Sequence, residues 1–308
     1  MSKKIAIFIV GPTASGKSEL AVELAKQISG VIISADSMQV YKDMHIASAA
    51  PDSAQMQGIE HKLIEFLPYG ARFSVADYAD MAREEIGKCF LDGKTPIIAG
   101  GTGLYINALA DNIHFLPQKT DGQIRAKLGA EYDILGGEEM LKRLELIDSA
   151  AAEKLNPADK RRIVRALEIY ETSGVTKTVQ NERSKQNPPE FTPVMIGITY
   201  KDRQKLYDRI NARVDTMIEK GLVGEAQAAI KKDGDTAVQA IGHKEFLPFF
   251  AGEQSLVEAI DTLKRATRRY AKRQLTWFNR DTRINWIYRD ITPDILGEAM
   301  KIIDKKEI

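Results

Sequence analysis

The chain has 308 residues, and its 44 lysines and arginines are nearly balanced by 43 aspartates and glutamates. That balance excludes a broadly cationic binder, so any nucleic-acid partner would be held by a local basic patch. With 44% hydrophobic residues, a single cysteine (Cys89) and no apolar run of membrane-span length, the composition is that of a globular chain without an internal disulfide. A cytoplasmic location and no membrane partner are expected. His45, His61, His114 and His243 are scattered and show no metal-ligand spacing.

Ile5–Val10 (IAIFIV) is a continuous apolar run, as expected of a central parallel strand covered on both faces. It leads into Gly11-Pro12-Thr13-Ala14-Ser15-Gly16-Lys17-Ser18, which fits the phosphate-loop pattern G-x-x-x-x-G-K-[ST] at every fixed position. Leu20, Leu24 and Ile28 then recur at four-residue steps on one helix face. In such a strand–loop–helix unit, backbone N–H groups converge on an anion at the helix N-terminus. Lys17 would reach terminal phosphate oxygens, and the Ser18 hydroxyl would ligate a magnesium ion.

Val31–Ser34 reads as a second strand that delivers Asp36-Ser37-Met38-Gln39 to the carboxyl edge of the sheet, where ligands bind in open α/β folds. Asp36 would face whatever the phosphate loop holds; it could instead cap the next turn. Residues 42–70 read as irregular. Ser74 is a plausible cap for a helix over Ser74–Leu91, which Gly93 ends. Thr95–Ala99 is a third strand, followed at once by Gly100-Gly101-Thr102-Gly103 and a helical run. A second glycine-rich turn beside the first suggests a shared pyrophosphate site, with the Thr102 hydroxyl able to donate to an oxyanion. No acid ends this strand, which weakens the reading as a motor or switch ATPase.

From Phe115 to Pro193 charged helical segments replace the apolar runs: Gln123–Leu128, Glu138–Ile147, Ala150–Leu155 and Lys160–Glu171, with Asn156-Pro157 expected to open an element. Lys160, Arg161, Arg162 and Arg165 make this block either a solvated face or a phosphate contact. Val194–Tyr200 returns as a fourth strand. The helix Arg203–Lys220 carries Arg209 and Arg213 opposite its apolar stripe, and Gly221 ends it. Glu225–Lys232 reads as another helix, and Gln239–Glu245 as a glycine-bearing turn opening the next. Over Ile260–Arg289, basic residues including Arg268, Arg269 and Arg273 alternate with Tyr270, Trp277, Phe278 and Trp286. The arginines suit RNA phosphates, whereas the aromatics suit the core. A last strand is expected at Asn285–Tyr288, and a closing helix beyond Pro293.

Together GPTASGKSELA, ISADSMQVY, IIAGGTGLY, DKRRIVRALE, LYDRINARVDTMIEKGL, QAIGHKE and ATRRYAKRQLTWF resemble the tRNA dimethylallyltransferase (tRNA isopentenylpyrophosphate transferase) family, in family order over nearly the whole chain. The resemblance implies an α/β fold: a P-loop NTPase-like parallel sheet core with helices on both faces, and a helical insertion domain. The corresponding segments are 1–114 and 194–308 for the core and 115–193 for the tRNA-contacting insertion. It implies transfer of a dimethylallyl group from dimethylallyl diphosphate to the amine of the adenosine 3′ of the anticodon. Gly11, Pro12, Thr13, Ala14, Ser15, Gly16, Lys17, Ser18 and Arg213 would hold the diphosphate, Thr102 would bond near the bridging oxygen, and Asp36 would be the general base. Candidate contacts to the tRNA anticodon stem-loop are Asp36, Ser37, Met38, Gln39 and Thr102, then Arg125, Lys160, Arg161, Arg162, Ile163 and Val164. The rest are Gln239, Ala240, Ile241, Gly242, His243 and Lys244, together with Arg268, Arg269 and Arg273. His243 stands where the family usually has tyrosine, and DMHIASAAP replaces the common DIGTAKP form. No zinc-finger tail of the kind found in some eukaryotic members is present in the sequence, consistent with a bacterial-type member; a monomer is expected, since nothing in the sequence suggests obligate association. The alternatives are a small-molecule kinase using ATP, an adenylate dimethylallyltransferase, or a non-enzymatic RNA-binding module. The last would leave Lys17, Ser18, Asp36 and Thr102 unexplained as a set.

Overall fold

The computed structural model describes residues 4–115, 122–184, 186–187, 190–231 and 240–307. In chain order the elements are β1 (Ile5–Val10), α1 (Lys17–Gln27), β2 (Gly30–Ser34), α2 (His45–Ser48), α3 (Ser53–Met56), β3 (His61–Lys62), α4 (Val75–Leu91), β4 (Thr95–Gly100) and α5 (Gly103–Ala110). A run of helices follows: α6 (Gly122–Leu135), α7 (Gly137–Ile147), α8 (Ser149–Ala152), α9 (Lys160–Ser173) and α10 (Lys177–Arg183). The chain then continues through β5 (Thr192–Thr199), α11 (Arg203–Glu219), α12 (Leu222–Ile230), a 3₁₀ turn at Lys244–Phe246, α13 (Leu247–Phe250), α14 (Leu256–Phe278), β6 (Asn285–Tyr288) and α15 (Ile295–Glu307). Two compact units result: Met1–Ala110 with Pro189–Ile308, and Asp111–Pro188.

In the first unit six parallel strands are ordered β3-β2-β4-β1-β5-β6. The apolar IAIFIV run becomes β1 in the middle of the sheet, paired with β4 on one edge and β5 on the other. Such a strand has no polar face to offer, which is why its sequence does not alternate. One face of the sheet carries Ile7, Ile9, Ile32, Ile97 and Ile196, covered by Leu20 and Leu24 of α1 and Ile303 of α15. Elsewhere in the unit α4 packs on α5, where the rings of Tyr78 and Tyr105 stack with centroids 3.8 Å apart. Ser74 caps α4 as its position predicts: its hydroxyl accepts from Asp77 N–H, and the Asp77 carboxylate returns a bond to Ser74 N–H.

The second unit is entirely helical over its described residues. Its core is Leu128, Met140, Leu144, Ile163, Val164 and Leu167. Glu168 is fully buried there, yet its carboxylate accepts from Arg125 (2.9 Å) and pairs with Arg165 (2.8 Å), which offsets the desolvation of the charge. Asp148 caps α8 and also accepts from the N–H and hydroxyl of Thr178, tying α10 to α8.

Three local features differ from the sequence reading. Asn156-Pro157 does not open a helix; the Asn156 side chain accepts from Ala158 N–H in a turn, and α9 starts at Lys160. The Lys42–Gly70 stretch is not wholly irregular, because it contains α2, α3 and the two-residue edge strand β3. The turn after Ala240 opens only a 3₁₀ turn and the four-residue α13. No helix among the described residues is long and apolar enough to cross a membrane.

The ends of β2 and β4 approach so closely that a Cβ on Gly100 would overlap the main chain of Ala35. Ala35 N–H donates to Ala99 O (2.9 Å) and Thr102 N–H to Ala35 O (3.1 Å), so neither segment can withdraw. Gly100→Ala is therefore expected to cost about 1–3 kcal/mol of unfolding free energy in a denaturant titration, the range of an overpacked core.

Candidate active site

The loop after β1 is a backbone construction. Gly11, Ala14 and Gly16 all have positive φ (146°, 62° and 94°). A Cβ on Gly11 would overlap the Ile198 carbonyl of the neighbouring strand, so no other residue fits there. Gly16 occupies the N-cap of α1 without a side-chain cap, which leaves the helix's first N–H groups directed at the loop. Lys17 bends across the loop and donates to Pro12 O at 2.7 Å.

Two further cavity residues carry opposite charges. Asp36 follows the buried end of β2, and its Oδ1 accepts from Met38 N–H at 2.9 Å. Asp36 thus caps the next turn as well as facing the loop: the cap fixes the carboxylate's direction rather than competing with a role in the cavity. Arg213 comes from α11. A cavity of about 330 Å³ is lined by Thr13, Lys17, Ser18, Asp36 and Arg213 together with Ser37, Met38, Gln39, Ala240, Ile241, Lys244, Arg273 and Gln274. Its apolar wall is Ile210, Val214, Met217 and Leu263. A second cavity of about 580 Å³ shares Lys17, Ser18, Arg213 and Met217 with the first and adds Arg209, Lys220 and His45. Two chambers therefore meet at Lys17 of the phosphate loop and Arg213 of α11.

The electrostatics follow from crowding cations around the anion-binding loop. The stem of Lys17 is partly open, but its ammonium lies deep among protein atoms. Desolvation, then repulsion by Arg213, pushes its pKa down to about 7 against a smaller upward pull from Asp36. Burial likewise lowers Arg213, with Asp36 opposing. Tyr270, which lines the same cavity, is raised chiefly by burial and then by Asp36, and stays a neutral hydroxyl.

The remaining sequence candidates divide by what their side chains already do. Thr102 is absorbed locally: its hydroxyl accepts from Ser37 N–H (3.0 Å) and donates to Ser37 Oγ (3.3 Å). Gln39 is likewise engaged, accepting from Ser34 Oγ (2.8 Å) and donating to Ala49 O (3.2 Å). Four candidates for RNA contact have side chains already buried in the protein. Ala240, His243, Ile163 and Val164 are buried, with His243 and Ile163 at 0% exposure, because each completes a hydrophobic or polar core. His243 Nε2 lies 3.3 Å from Glu225, whose carboxylate also accepts from the Ile46 and Ala47 N–H groups. Gly242 supplies a positive φ of 107° and donates to Glu245. Gln239 lies outside the described residues.

Within the helical unit, Lys160 pairs with Asp133 (2.5 Å), and Arg125 is committed to Glu168. Arg161 and Arg162 are exposed in the first turn of α9. On α14, Arg268 donates to Asn211 of α11 (2.6 Å), Arg269 is exposed, and Arg273 lies over the Tyr270 ring (5.6 Å). The sequence reading missed Gln274 and the apolar wall of the cavity. Gln274 could have been noticed as a polar residue in the buried stripe Ala271-Gln274-Phe278 of an amphipathic helix.

The IPP transferase family model matches residues 39–281. A tRNA dimethylallyltransferase of Acetivibrio thermocellus is 47% identical over 287 residues, covering 92% of this chain and 91% of that protein. One from Carboxydothermus hydrogenoformans is 45% identical over 307 residues, covering 97% and 98%. The crystal structure of a tRNA isopentenylpyrophosphate transferase from Bacillus halodurans has a TM-score of 0.72 at 39% identity, over 99% of this chain and 97% of that one. A eukaryotic dimethylallyltransferase solved acting on tRNA has a TM-score of 0.82 at 25% identity, over 99% and 79%.

The depressed Lys17 pKa carries a sign. Above about pH 7 the free loop holds a neutral lysine, and an arriving polyanion would restore its proton. Inorganic diphosphate is therefore expected to bind at pH 8 with net uptake approaching one proton, read as a buffer-dependent heat, and at pH 6 with almost none from this group. Lys17→Met should remove the difference. In the free protein the unfolded chain holds the extra proton between about pH 7 and 10.5, so this group makes stability rise with pH across that window.

Proposed function

The chain belongs to the IPP transferase family, and on that premise we propose that it transfers a dimethylallyl group from dimethylallyl diphosphate to N6 of the tRNA adenosine on the 3′ side of the anticodon. The observation that carries the reading is one cavity in which Lys17 and Arg213 face Asp36 with no acid at the end of β4. A phosphate loop built in this way suits a diphosphate that departs rather than a phosphoryl group that is transferred. The family relatives at 45–47% identity named above are tRNA dimethylallyltransferases, which favours the transferase over the kinase.

In this mechanism the loop N–H groups of α1, Lys17 and Arg213 hold the diphosphate and stabilise the charge that develops as its C–O bond breaks. The adenine amine attacks the allylic carbon, the C–O electron pair leaves with the diphosphate, and the amine proton passes to the Asp36 carboxylate. An aromatic amine is a weak nucleophile, so holding it in line with the allylic carbon supplies much of the rate. The apolar wall of Ile210, Val214, Met217 and Leu263 would shelter the five-carbon group from water. Magnesium fits the donor set. Ser18 would hold it through its hydroxyl, with Asp36 in the same cavity and most remaining ligands supplied by water and phosphate oxygens. When bound, the ion would neutralise charge on the diphosphate.

The tRNA reading of the helical unit rests on Arg161 and Arg162. Cations in the first turn of a helix oppose its dipole, so helix stability gives no reason for them, whereas RNA phosphates do. We place the enzyme in the cytoplasm as a monomer acting on tRNA there.

The reading is tested by incubating labelled dimethylallyl diphosphate, magnesium and unmodified tRNA with the protein. Label should enter the RNA and should be lost with a tRNA lacking adenosine 3′ of the anticodon; ATP consumption without RNA labelling would refute it. Asp36→Ala should slow transfer by about 10²–10⁴-fold, the range of a lost general base, while tRNA affinity stays within a few-fold. A loss of tRNA affinity equal to the loss of rate would remove Asp36 from that role. Arg161→Ala with Arg162→Ala should weaken tRNA binding and flatten its log–log salt dependence by about 0.7–0.9 per lost phosphate contact.

A further inference from the structure

One side chain bridges the two glycine turns of the active site, and the mechanism above leaves it without a role. Gln274 projects from the buried face of α14 and is 5% exposed. Its Oε1 accepts from Thr13 N–H in the phosphate loop at 2.8 Å. Its Nε2 donates to Gly101 O in the second glycine turn at 3.0 Å. One helical turn earlier on the same helix, Tyr270 lines the same cavity as Gln274. A buried amide is costly unless its donors and acceptors are used, and here both ends are used on backbone of different loops.

The glycine at 101 is explained by the same contact. Gly101 does not require a left-handed conformation; a Cβ there would overlap Nε2 of Gln274, and the next neighbour, Gly11 O, stands off at an ordinary 3.6 Å. Gly100 and Gly101 therefore owe their identity to two different neighbours, the Ala35 main chain and the Gln274 amide.

The bridge has a chemical consequence. Thr13 belongs to the loop read as holding the leaving diphosphate, and its N–H points to Gln274 rather than to an anion. Gly101 directly precedes Thr102, whose hydroxyl binds the backbone and side chain of Ser37, next to Asp36. Gln274 thus spans from the segment that holds the leaving group to the segment that carries the base. The geometry points to Gln274 as a positioning residue that sets the separation between the diphosphate and the Asp36 carboxylate. This rests on the transferase reading of the site.

Displacing reacting groups by about an ångström can cost about a hundredfold in rate. Gln274→Met keeps the volume and removes both bonds. Its single-turnover transfer at saturating substrates is expected to fall about 30- to 100-fold while inorganic diphosphate affinity changes less than about threefold and the protein stays folded at the assay temperature. Gln274→Glu, which retains the acceptor for Thr13 but faces Gly101 O with a carboxylate, should lie between wild type and Gln274→Met. Gly101→Ala and Gln274→Ala should each be similarly slow, and the two combined should be no slower than the slower of these two, because the new methyl then has room. A Gln274→Met rate within twofold of wild type, or multiplicative losses in the double variant, would overturn the inference.

A separate measurement does not depend on turnover. Amide exchange of Thr13 in Gln274→Met should accelerate about tenfold, as expected when a buried backbone N–H loses its acceptor, with the rest of the sheet unchanged. Exchange equal to wild type at Thr13 would overturn the inference. If wild type labels no tRNA, the transferase reading fails and the exchange experiment alone decides whether Gln274 fixes the phosphate loop.

Discussion

The active-site end of the sheet depends on main chain touching main chain. At the carboxyl ends of β1 and β4, Gly11 meets the Ile198 carbonyl and Gly100 meets Ala35, each with no space for a methyl group. Strands this close bring the loops that follow them within reach of one another. The phosphate loop, the Asp36 turn and the end of β4 at Gly100 can therefore share a single cavity, with Thr102 bonded to Ser37 beside it. The same packing forbids a side chain at Gly100, near where a hydrolytic member of the phosphate-loop class would present its acid. The acid is instead supplied by the neighbouring strand, at Asp36.

That transfer of the carboxylate from one strand to the next changes the chemistry available. Lys17 and Arg213 are both partly desolvated and disfavour each other's charge, while Asp36 offsets part of that cost. A bound diphosphate would bring the missing negative charge, so the site would be most favourably balanced with an anion in the loop. On the proposed reading the Asp36 carboxylate would then be available to accept a proton from the nucleophile. The raised hydroxyls of Tyr270 and Tyr105 stay neutral and add no second negative charge beside Asp36.

Most of the frame was legible in the sequence because its signals are local. The phosphate loop, the apolar strands, the Ser74 cap and the helix terminated by Gly221 each follow from a few neighbouring residues. The order of the strands was not legible, since nothing in IAIFIV says that its partners begin near residues 97 and 192. Short elements such as β3 and α2 lack a full period to detect. The start of α14 was missed although Ser255 and Glu258 form a capping box, a signal present in the sequence and not used. At the site, motif positions identified Lys17, Asp36 and Arg213, which share the cavity. At His243 and Ile163 the motif gave no sign that the side chains are buried in the core. Gln274 was hidden because its partners are backbone atoms of distant loops, and backbone leaves no pattern in a sequence.

The insertion of the helical unit between α5 and β5 bears on how the chain is made. Of the six strands in this sheet β1 leaves the ribosome before the others, yet its partner β5 lies beyond Asp111–Pro188. Until that segment has been synthesised, one edge of the most apolar strand in the protein faces no partner, exposing N–H and C=O groups of a type that recruits other chains. The intervening helices have a core of their own and can condense first, shortening the effective span that β5 must cross to close the sheet. An insertion read as a surface for RNA is thus also a delay in the birth of the fold, and the sheet that carries the chemistry is completed only after it.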